Sequence, residues 1–543
     1  MLRFSQLCES IAATTKKNEK VRLTADYFRT VAVWEAALAA LYLSGRSFPR
    51  REERVLSIGF SLLLHAVASV VDVDAKQLGP VLSRHGDLGA AAEEVLPKQT
   101  GVPQVRLAEL PGIFSALGLE RGPAAKQSLL EKTLRRFSAL EAKYFIKVAT
   151  GELRIGLQES LVEESIALAY EQALPAVQRA NMLLGDIGET LRLAAAGRLA
   201  DVHIQVFRPV SSMLATPADT AADLVAAFPA GALVEDKFDG IRAQVHKRDG
   251  RVEIYSRTLN RVTEFPEVIE VVRQLPGEFI LDGEIVGWRE GRAIPFTELQ
   301  QRLGRKQTGL FSSTALPVSF VAFDLLLIDG QDLLNETLGR RRTRLAELLT
   351  GFEHPGLQFT RPQLCRSAEE IDRLFRASLA RGNEGLLAKA PDSPYVPGHR
   401  GQFWLKLKQP LATLDVVVTA VEYGHGKRRG LLSDYTFAVR QGHRLVDIGK
   451  AYSGLTDAEI RQMTEFFLSR TINDQGFRRR VIPEVVLEVA FNNIQRSRRH
   501  DSGYALRFPR IVRLRPDKSV SEIDTIERVR EIFASQHARK IQA

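Results

Sequence analysis

The spacing of apolar residues changes near residue 206 of this 543-residue chain. Before that point, apolar residues recur every three or four positions, as in LLEKTLRRFSALEAKYFIKVA and ESLVEESIALAYEQAL, which is typical of amphipathic helices. After it, short alternating runs such as IRAQVHKRDGRVEIYSR are separated by turn residues, which is typical of strands. A chain of this length with two such patterns is expected to fold as several domains.

We therefore predict three domains. Residues 1–205 are expected to be all-helical, and residues 206–410 to form an α+β domain with mainly antiparallel sheets. Residues 411–543 contain short strands in LDVVVTAVEYG, YTFAVRQ and HRLVDIGKA, which predict a small β-barrel.

Two local signals locate elements in the middle domain. Asp249 and Gly250 stand between two alternating runs, and this residue pair favours the type I′ turn of a β-hairpin. Ser367 and Glu370 have the spacing of a capping box, which predicts a helix that ends before Gly382.

Composition excludes several classes of protein. No run approaches 18 uncharged apolar residues, and the first ten residues lack the apolar core of a secretory signal, so we expect a cytoplasmic protein without a membrane segment. The two cysteines can form neither a disulfide framework nor a four-cysteine zinc site. The net charge of +10 suits a polyanionic partner, and basic clusters lie at 16–20, 425–430, 477–480 and 495–500.

The stretch VEDKFDGIRA contains the first candidate for catalysis. Lys237 is followed by Asp239 and Gly240, and the glycine would let another group approach closely. A nucleophilic lysine must be neutral, and lowering its pKa by about three units requires roughly 4 kcal/mol from burial and cationic neighbours. The pattern Lys-x-Asp-Gly occurs by chance in about one chain in ten of this length, so a charged surface turn is the competing interpretation.

Four later stretches bear on this choice. They are YSR at 255–257, LDGEIV at 281–286, NEGLLAK at 383–389 and FWLKLKQ at 403–409. In the last of these, Trp404, Lys406 and Lys408 would share one face of a strand. Each stretch alone also fits an ordinary turn or an amphipathic strand.

In this order the stretches resemble the motifs of covalent nucleotidyltransferases, and most closely those of ATP-dependent DNA ligases. EDKFDGIR resembles motif I of that family, YSR motif Ia, LDGEIV motif III and FVAFDLLLIDG motif IIIa. EGLLAK resembles motif IV, WLKLK motif V and ALRFPRIVRLRPDK motif VI, while the N-terminal LRIGL is similar to the helical DNA-binding domain of larger members. The resemblance covers nearly the whole chain.

The resemblance implies a role for each matching residue. Lys237 would attack the α-phosphate of ATP and hold AMP as a phosphoramidate. Glu235 would recognise adenine, and Phe323 would stack on it. Glu284 would contact the ribose or a metal-bound water, and Glu384 would help to hold Mg²⁺. The nucleotide or its phosphates would contact the basic residues Arg242, Arg257, Arg400, Lys406, Lys408, Arg515 and Lys518.

The resemblance also implies how the chain works. The C-terminal barrel would be an OB-fold whose Arg515 and Lys518 orient the leaving pyrophosphate, and it would swing on a hinge near Gln409–Pro410. The expected reaction seals 5′-phosphate/3′-hydroxyl nicks in duplex DNA through lysyl-AMP and a DNA-adenylate, with ATP and Mg²⁺. We expect a monomer that encircles DNA, in the nucleoid of a prokaryote.

Three related enzyme families and one non-enzyme remain as alternatives. NAD-dependent ligases share the lysine chemistry but carry a four-cysteine zinc element. mRNA capping enzymes lack a large helical DNA-binding domain, and RNA ligases usually lack the RPDK ending. A nucleic-acid-binding module with an inactive core would have lost Lys237, Glu284 or Glu384, which all stand here. A role in replication, repair or recombination is left open.

Overall fold

The computed structural model describes the backbone of residues 1–542 apart from 53, 98–104, 290, 295, 297, 300–315, 410–411, 425–427 and 429, and side chains up to residue 535. Within this part of the chain, no helix has both the length and the apolar character needed to cross a bilayer.

The N-terminal region is helical, as predicted. Its α-helices are α1 (Leu2–Ala12), α2 (Lys17–Thr30), α3 (Val33–Leu43), α4 (Phe60–Val70), α5 (Gly79–His85), α6 (Leu88–Val95), α7 (Leu110–Leu119), α8 (Pro123–Leu134), α9 (Ala139–Thr150), α10 (Glu159–Ala169), α11 (Leu174–Leu184) and α12 (Ile187–Ala195). The helices are shorter than the apolar pattern suggests. A capping box of Ser138 and Glu141 begins α9, and Gly151 ends it with φ +74°.

The middle region is α+β. Its elements are β1 (Leu214–Ala218), α13 (Ala221–Ala227), β2 (Ala232–Lys237), β3 (Ile241–Arg248), β4 (Arg251–Ser256), β5 (Arg261–Val262), α14 (Pro266–Arg273), β6 (Phe279–Arg289), β7 (Arg292–Ile294), β8 (Val318–Ile328), β9 (Gln331–Asp332), α15 (Leu338–Leu349), β10 (Leu357–Phe359), β11 (Gln363–Cys365), α16 (Ala368–Ala380), β12 (Gly385–Lys389) and β13 (Arg400–Lys408).

These strands form two sheets among the described residues. One has the order β1-β13-β12-β2-β11, and the other has the order β10-β8-β6-β3-β4-β5, with β7 beside β6 and β9 beside β8. The pairs are antiparallel except β1–β13 and β10–β8, so the predicted sheet type is confirmed.

The two local signals are also confirmed. Asp249 (φ +50°) and Gly250 (φ +74°) form the turn between β3 and β4, and both have the positive φ that a type I′ turn requires. Ser367 and Glu370 cap the N-terminus of α16, and Gly382 follows its end with φ +82°.

The C-terminal region is rich in short strands. Its elements are β14 (Ala412–Tyr423), β15 (Leu432–Gln441), β16 (Arg444–Ala451), α17 (Asp457–Ser469), β17 (Thr471–Asp474), β18 (Arg478–Val481), β19 (Val486–Phe491), β20 (Asn493–Arg496), β21 (Tyr504–Arg507), β22 (Arg510–Leu514) and α18 (Ile526–Gln542). The strand order is β16-β15-β14-β18-β17, with β19 pairing both β14 and β22. Among the described residues no hydrogen-bonded pair closes this order into a ring, so the closed barrel stays a prediction.

The helical region and the middle region share one hydrophobic core. Buried side chains of the connecting segment, including Val206 and Met213, belong to the same cluster as Phe323 and Trp404 of the sheets. The segment is fixed to β3 by side chains, since Phe207 N donates to His246 Nδ1 at 2.9 Å. The change of pattern near residue 206 therefore marks a buried connection.

Candidate active site

Three adjacent strands bring the predicted catalytic lysine and three predicted nucleotide-binding residues to one face of a sheet. Lys237 of β2 lies opposite Gly385 of β12, which lies opposite Lys408 of β13. In the next paired row, Glu235 lies opposite Leu387, which lies opposite Lys406. Because residues opposite each other on paired strands share a face, Glu235 and the three lysines point to the same side.

The other face of these strands explains why they form. Leu386, Ala388, Leu405 and Leu407 alternate with the site residues and are buried in a common apolar cluster with Val234. The alternation in FWLKLKQ therefore sets the register that aligns the lysines.

Glu384 lies between two of these lysines. Its Oε2 is 2.7 Å from Lys237 Nζ and also pairs with Lys408 Nζ, while its backbone N–H donates to Lys237 O at 2.9 Å. Burial alone would raise the pKa of Glu384, but the two ammonium groups outweigh it and hold that pKa below its usual range. Burial, together with the Glu384 carboxylate, raises the pKa of neighbouring Asp239 to about 6.

Glu284 of β6 lies on the neighbouring sheet, opposite Arg242 of β3. Burial raises the pKa of Glu284 to about 7, although Lys237 and Arg242 attract its charged form. Arg242 donates two hydrogen bonds to the buried carboxylate of Asp282, from Nη2 at 2.7 Å and from Nε at 3.1 Å. Its pKa is raised, because the attraction of Asp282 outweighs the desolvation of the guanidinium.

A buried ion pair next to these residues joins Glu235, the predicted adenine contact, to a lysine with no predicted role. Lys389 Nζ pairs with Glu235 Oε1 and lies 4.2 Å from the ring centre of Trp404 and 4.6 Å from that of Phe323. Thr360 Oγ1 donates to Glu235 Oε2 at 2.5 Å. Burial lowers the pKa of Lys389, even though Glu235 favours its charged form.

Lys389 and Thr360 have no role among the sequence predictions. The contact between Lys389 and Glu235 follows from the antiparallel pairing of β2 with β12, so the spacing within either strand does not reveal it. The alternation within NEGLLAK is the only sequence signal, since it places Lys389 and Leu387 on the same side.

Comparison with known proteins decides the family. Three family models match: "DNA ligase N terminus" at residues 1–167, "ATP dependent DNA ligase domain" at 212–408 and "ATP dependent DNA ligase C terminal region" at 428–518. A protein of Koribacter versatilis (strain Ellin345) named "Probable DNA ligase" is 49% identical over 562 residues, which cover 99% of this chain and 97% of that protein. The chain belongs to the ATP-dependent DNA ligase family.

Other similar proteins support the same family assignment and the same fold. "DNA ligase 1" of Korarchaeum cryptofilum (strain OPF8) is 37% identical over 553 residues, which cover 99% of each chain. A solved structure described as Pmar-Lig_PreS3 superposes with a TM-score of 0.60 and covers 94% of this chain and 99% of its own, at 15% identity, so it supports the fold alone. The predicted family and enzyme class are confirmed.

The Lys237 cluster consists of Lys237, Glu284, Glu384, Lys406 and Lys408. In the part of the chain that the structure describes, two other predicted site residues of the ligase, Arg257 and Arg400, form no ion pair with it. Arg400 is exposed at the start of β13. Burial lowers the pKa of half-buried Lys406, and the charges of Lys408 and Arg400 lower it further. Arg257 is exposed and lines a cleft of about 1440 Å³ between the helical region and the hairpin loop after β4. Arg46 and Arg154 of the helical region line the same cleft.

Arg515 and Lys518 of the ligase lie in the C-terminal region, where they pair with Asp415. In the part of the chain that the structure describes, neither forms an ion pair or hydrogen bond with the Lys237 cluster. Pro410 of the predicted hinge lies outside the described residues, as do four of the six residues of the basic cluster at 425–430.

Proposed function

We propose that Lys237 is the residue that carries AMP, and that the chain seals nicks in duplex DNA in three steps. The enzyme would load AMP from ATP onto Lys237, pass it to the 5′-phosphate of the nick, and join that phosphate to the 3′-hydroxyl. The observation that carries this proposal is the alignment of Lys237 with Lys406 and Lys408 on one sheet face, around Glu384.

The charges of this face suit attack on a phosphate. The transition state concentrates negative charge on the α-phosphate oxygens and on the departing pyrophosphate, which Lys406, Lys408 and Arg400 would stabilise. Lys237 pairs with Glu384 at 2.7 Å, so the amine has to leave this carboxylate before it attacks.

The buried pair of Glu235 and Lys389 supports a nucleobase site beside Phe323. Glu235 has both carboxylate oxygens engaged, so its orientation is fixed before adenine arrives. Phe323 would offer the stacking surface, and Arg242, whose guanidinium lies 5.3 Å from that ring, would contact the nucleotide with its remaining donors.

The residues present also fit Mg²⁺ as a cofactor. Glu284 and Glu384 supply carboxylate oxygens near Lys237, and magnesium needs only one or two carboxylates when phosphates and waters complete its shell. Among the described residues no group of three or more His, Cys, Asp or Glu side chains is arranged to hold a metal by itself. When bound, the ion would neutralise phosphate charge.

Three domains, residues 1–205, 206–410 and 411–543, would each contribute to binding the DNA substrate. The cleft of about 1440 Å³ would hold duplex DNA, because Arg46, Arg154 and Arg257 line it from two of these domains. The third domain, as an OB-fold barrel, would complete a monomer that encircles the DNA. The place of action would be the nucleoid in the cytoplasm of a prokaryote.

A labelling experiment tests the proposal. The protein is incubated with α-labelled ATP and Mg²⁺, and an acid-labile label on the protein is measured for wild type, Lys237→Ala and Lys237→Arg. The arginine variant keeps a cation for Glu384, yet its guanidinium stays protonated and cannot attack. Wild type should label and both variants should not. Full labelling of Lys237→Arg would refute the assignment of Lys237.

A further inference from the structure

One carboxylate of the C-terminal region holds two of the basic residues that, by the resemblance to DNA ligases, would orient the leaving pyrophosphate. Asp415 Oδ1 is 2.9 Å from Arg515 Nη1, and Asp415 Oδ2 is 2.5 Å from Lys518 Nζ. The side chains of Asp415 and Arg515 are each only 13% exposed, so solvent screens this contact weakly.

The backbones of these residues are fixed as well. Asp415 lies on β14, where its N–H donates to Asp524 Oδ2 at 2.7 Å and its carbonyl accepts from Asp524 N at 2.9 Å. Arg515 N donates to Val486 O at 2.9 Å. The carboxylate therefore lies at a defined position in the sheet, which is a suitable support for two long side chains.

The contacts leave donors free for an anion. Arg515 uses Nε and Nη2 on Asp517 and Nη1 on Asp415, so these contacts engage three of the five N–H groups of a guanidinium. Lys518 uses one of three ammonium donors on Asp415, and this hydrogen bond raises the pKa of Lys518. Both cations stay charged and can still bind phosphate oxygens.

We propose that Asp415 is a positioning residue that sets Arg515 and Lys518 for the leaving pyrophosphate in the first step. This inference rests on the function proposed above, of which AMP loading is the first step, and on the role in that step that the resemblance implies for those two cations. Long basic side chains lose rotamer freedom when they bind, and a fixed carboxylate removes that freedom before ATP arrives. Orientation then lowers the barrier of loading.

Asp415 could instead compete with pyrophosphate for the two cations, and the rate of AMP loading distinguishes this role from positioning. A carboxylate that merely competes with pyrophosphate for Arg515 and Lys518 would slow loading, so its removal would speed the first step. A positioning carboxylate accelerates the first step, so its removal slows it. The sign of the change in rate therefore decides between the two roles.

The test compares Asp415→Asn with Glu422→Gln in the full-length protein. Glu422 is a matched control, because it lies on the same strand, is 18% exposed and pairs with Lys450 at 2.8 Å and with Arg478 at 3.8 Å. Two rates are measured: formation of the labelled AMP adduct at saturating ATP, and sealing of a nick that already carries 5′-AMP. Asp415→Asn should form the adduct about tenfold more slowly and seal the adenylated nick at the rate of Glu422→Gln.

Two further variants separate the failure of this inference from the failure of the proposed function. Lys518→Ala should also load slowly, and the double variant Asp415→Asn/Lys518→Ala should load no more slowly than Lys518→Ala. Normal loading by Lys518→Ala would refute the role of Lys518 and the inference with it. Slow loading by Lys518→Ala with normal or faster loading by Asp415→Asn, or equal loss of both rates in Asp415→Asn, would overturn the inference alone.

Discussion

His246 is a buried histidine whose ring works as a hydrogen-bond acceptor. Its Nδ1 accepts from Phe207 N at 2.9 Å, and its ring packs edge-on to Tyr255 with centres 4.8 Å apart. Burial lowers the pKa of His246 to about 3, from 6.5 in an exposed histidine. A neutral His246 is thus needed to hold the segment between the helical and middle regions.

This pKa makes stability depend on pH. Between pH 3 and 6.5 the unfolded chain binds a proton at His246 that the folded chain does not bind, so stability rises with pH across this window. Going from pH 7.5 to 5 should cost wild type about 2 kcal/mol more than His246→Asn, whose amide oxygen still accepts from Phe207 N. Urea unfolding at several pH values measures this difference.

An exposed histidine provides the control. His65→Asn, in the helical region, should leave the pH dependence of wild type unchanged, because this side chain is exposed and forms no part of the buried connection. A pH dependence in His246→Asn as steep as in wild type would show that other groups cause the loss of stability in acid.

Gly385 of β12 is the residue that lets two strands of the candidate site approach each other closely. It lies between Lys237 and Lys408 with φ +144°, and an added Cβ would overlap Leu407 O and approach Lys408 Cα to 3.1 Å. Such a φ strains every other residue type, and the overlap involves backbone, so relief requires β12 and β13 to separate.

Gly385→Ala should therefore lose the alignment of Lys237 with Lys408. We expect destabilisation of about 1–3 kcal/mol and loss of the labelled AMP adduct, measured by thermal unfolding and by labelling. Gly401→Ala on β13 is the control, because its Cβ would meet only the movable ring of His399, at 2.9 Å. Normal labelling by Gly385→Ala would mean that the register of these strands does not serve catalysis.

The sequence predicts the kinds of element better than their ends. ESLVEESIALAYEQAL keeps one apolar pattern and predicts one helix, yet α10 ends at Ala169, Glu171 has φ +53° and α11 begins at Leu174 with a proline in its first turn. The break lets α10 and α11 pack against each other, which periodicity does not encode. Ser138 and Glu141, in contrast, have a readable capping spacing that the continuous pattern hid.

The residues of the candidate site also differ in how far the sequence predicts them. Lys237, Glu384, Lys406 and Lys408 were found because each lies in a short local motif. The pairing of Glu235 with Lys389 depends on two strands about 150 positions apart meeting in one register, and the sequence of either strand does not specify that register.

At the scale of the whole molecule, the shared core limits how the helical region can be studied. Val206 and Met213 are buried with Phe323 and Trp404, so deletion of residues 1–205 would expose apolar surface beside the predicted nucleotide site. Substitution of charges in the cleft tests the proposed DNA contacts while this core stays intact.

Arg46 and Arg154 are suitable for such a change, because both line the cleft and are 40% and 52% exposed. If both contact phosphates, Arg46→Gln/Arg154→Gln should bind nicked DNA with a log–log salt slope lower by about 0.9 for each lost contact, because fewer counterions are released. Formation of the AMP adduct should be unchanged, since the lining of the cleft does not include Lys237. The control is Arg22→Gln/Arg198→Gln, which removes two arginines of the same region that do not line this cleft and are 62% and 65% exposed. An equal slope for both double variants would place the DNA on another face of the helical region.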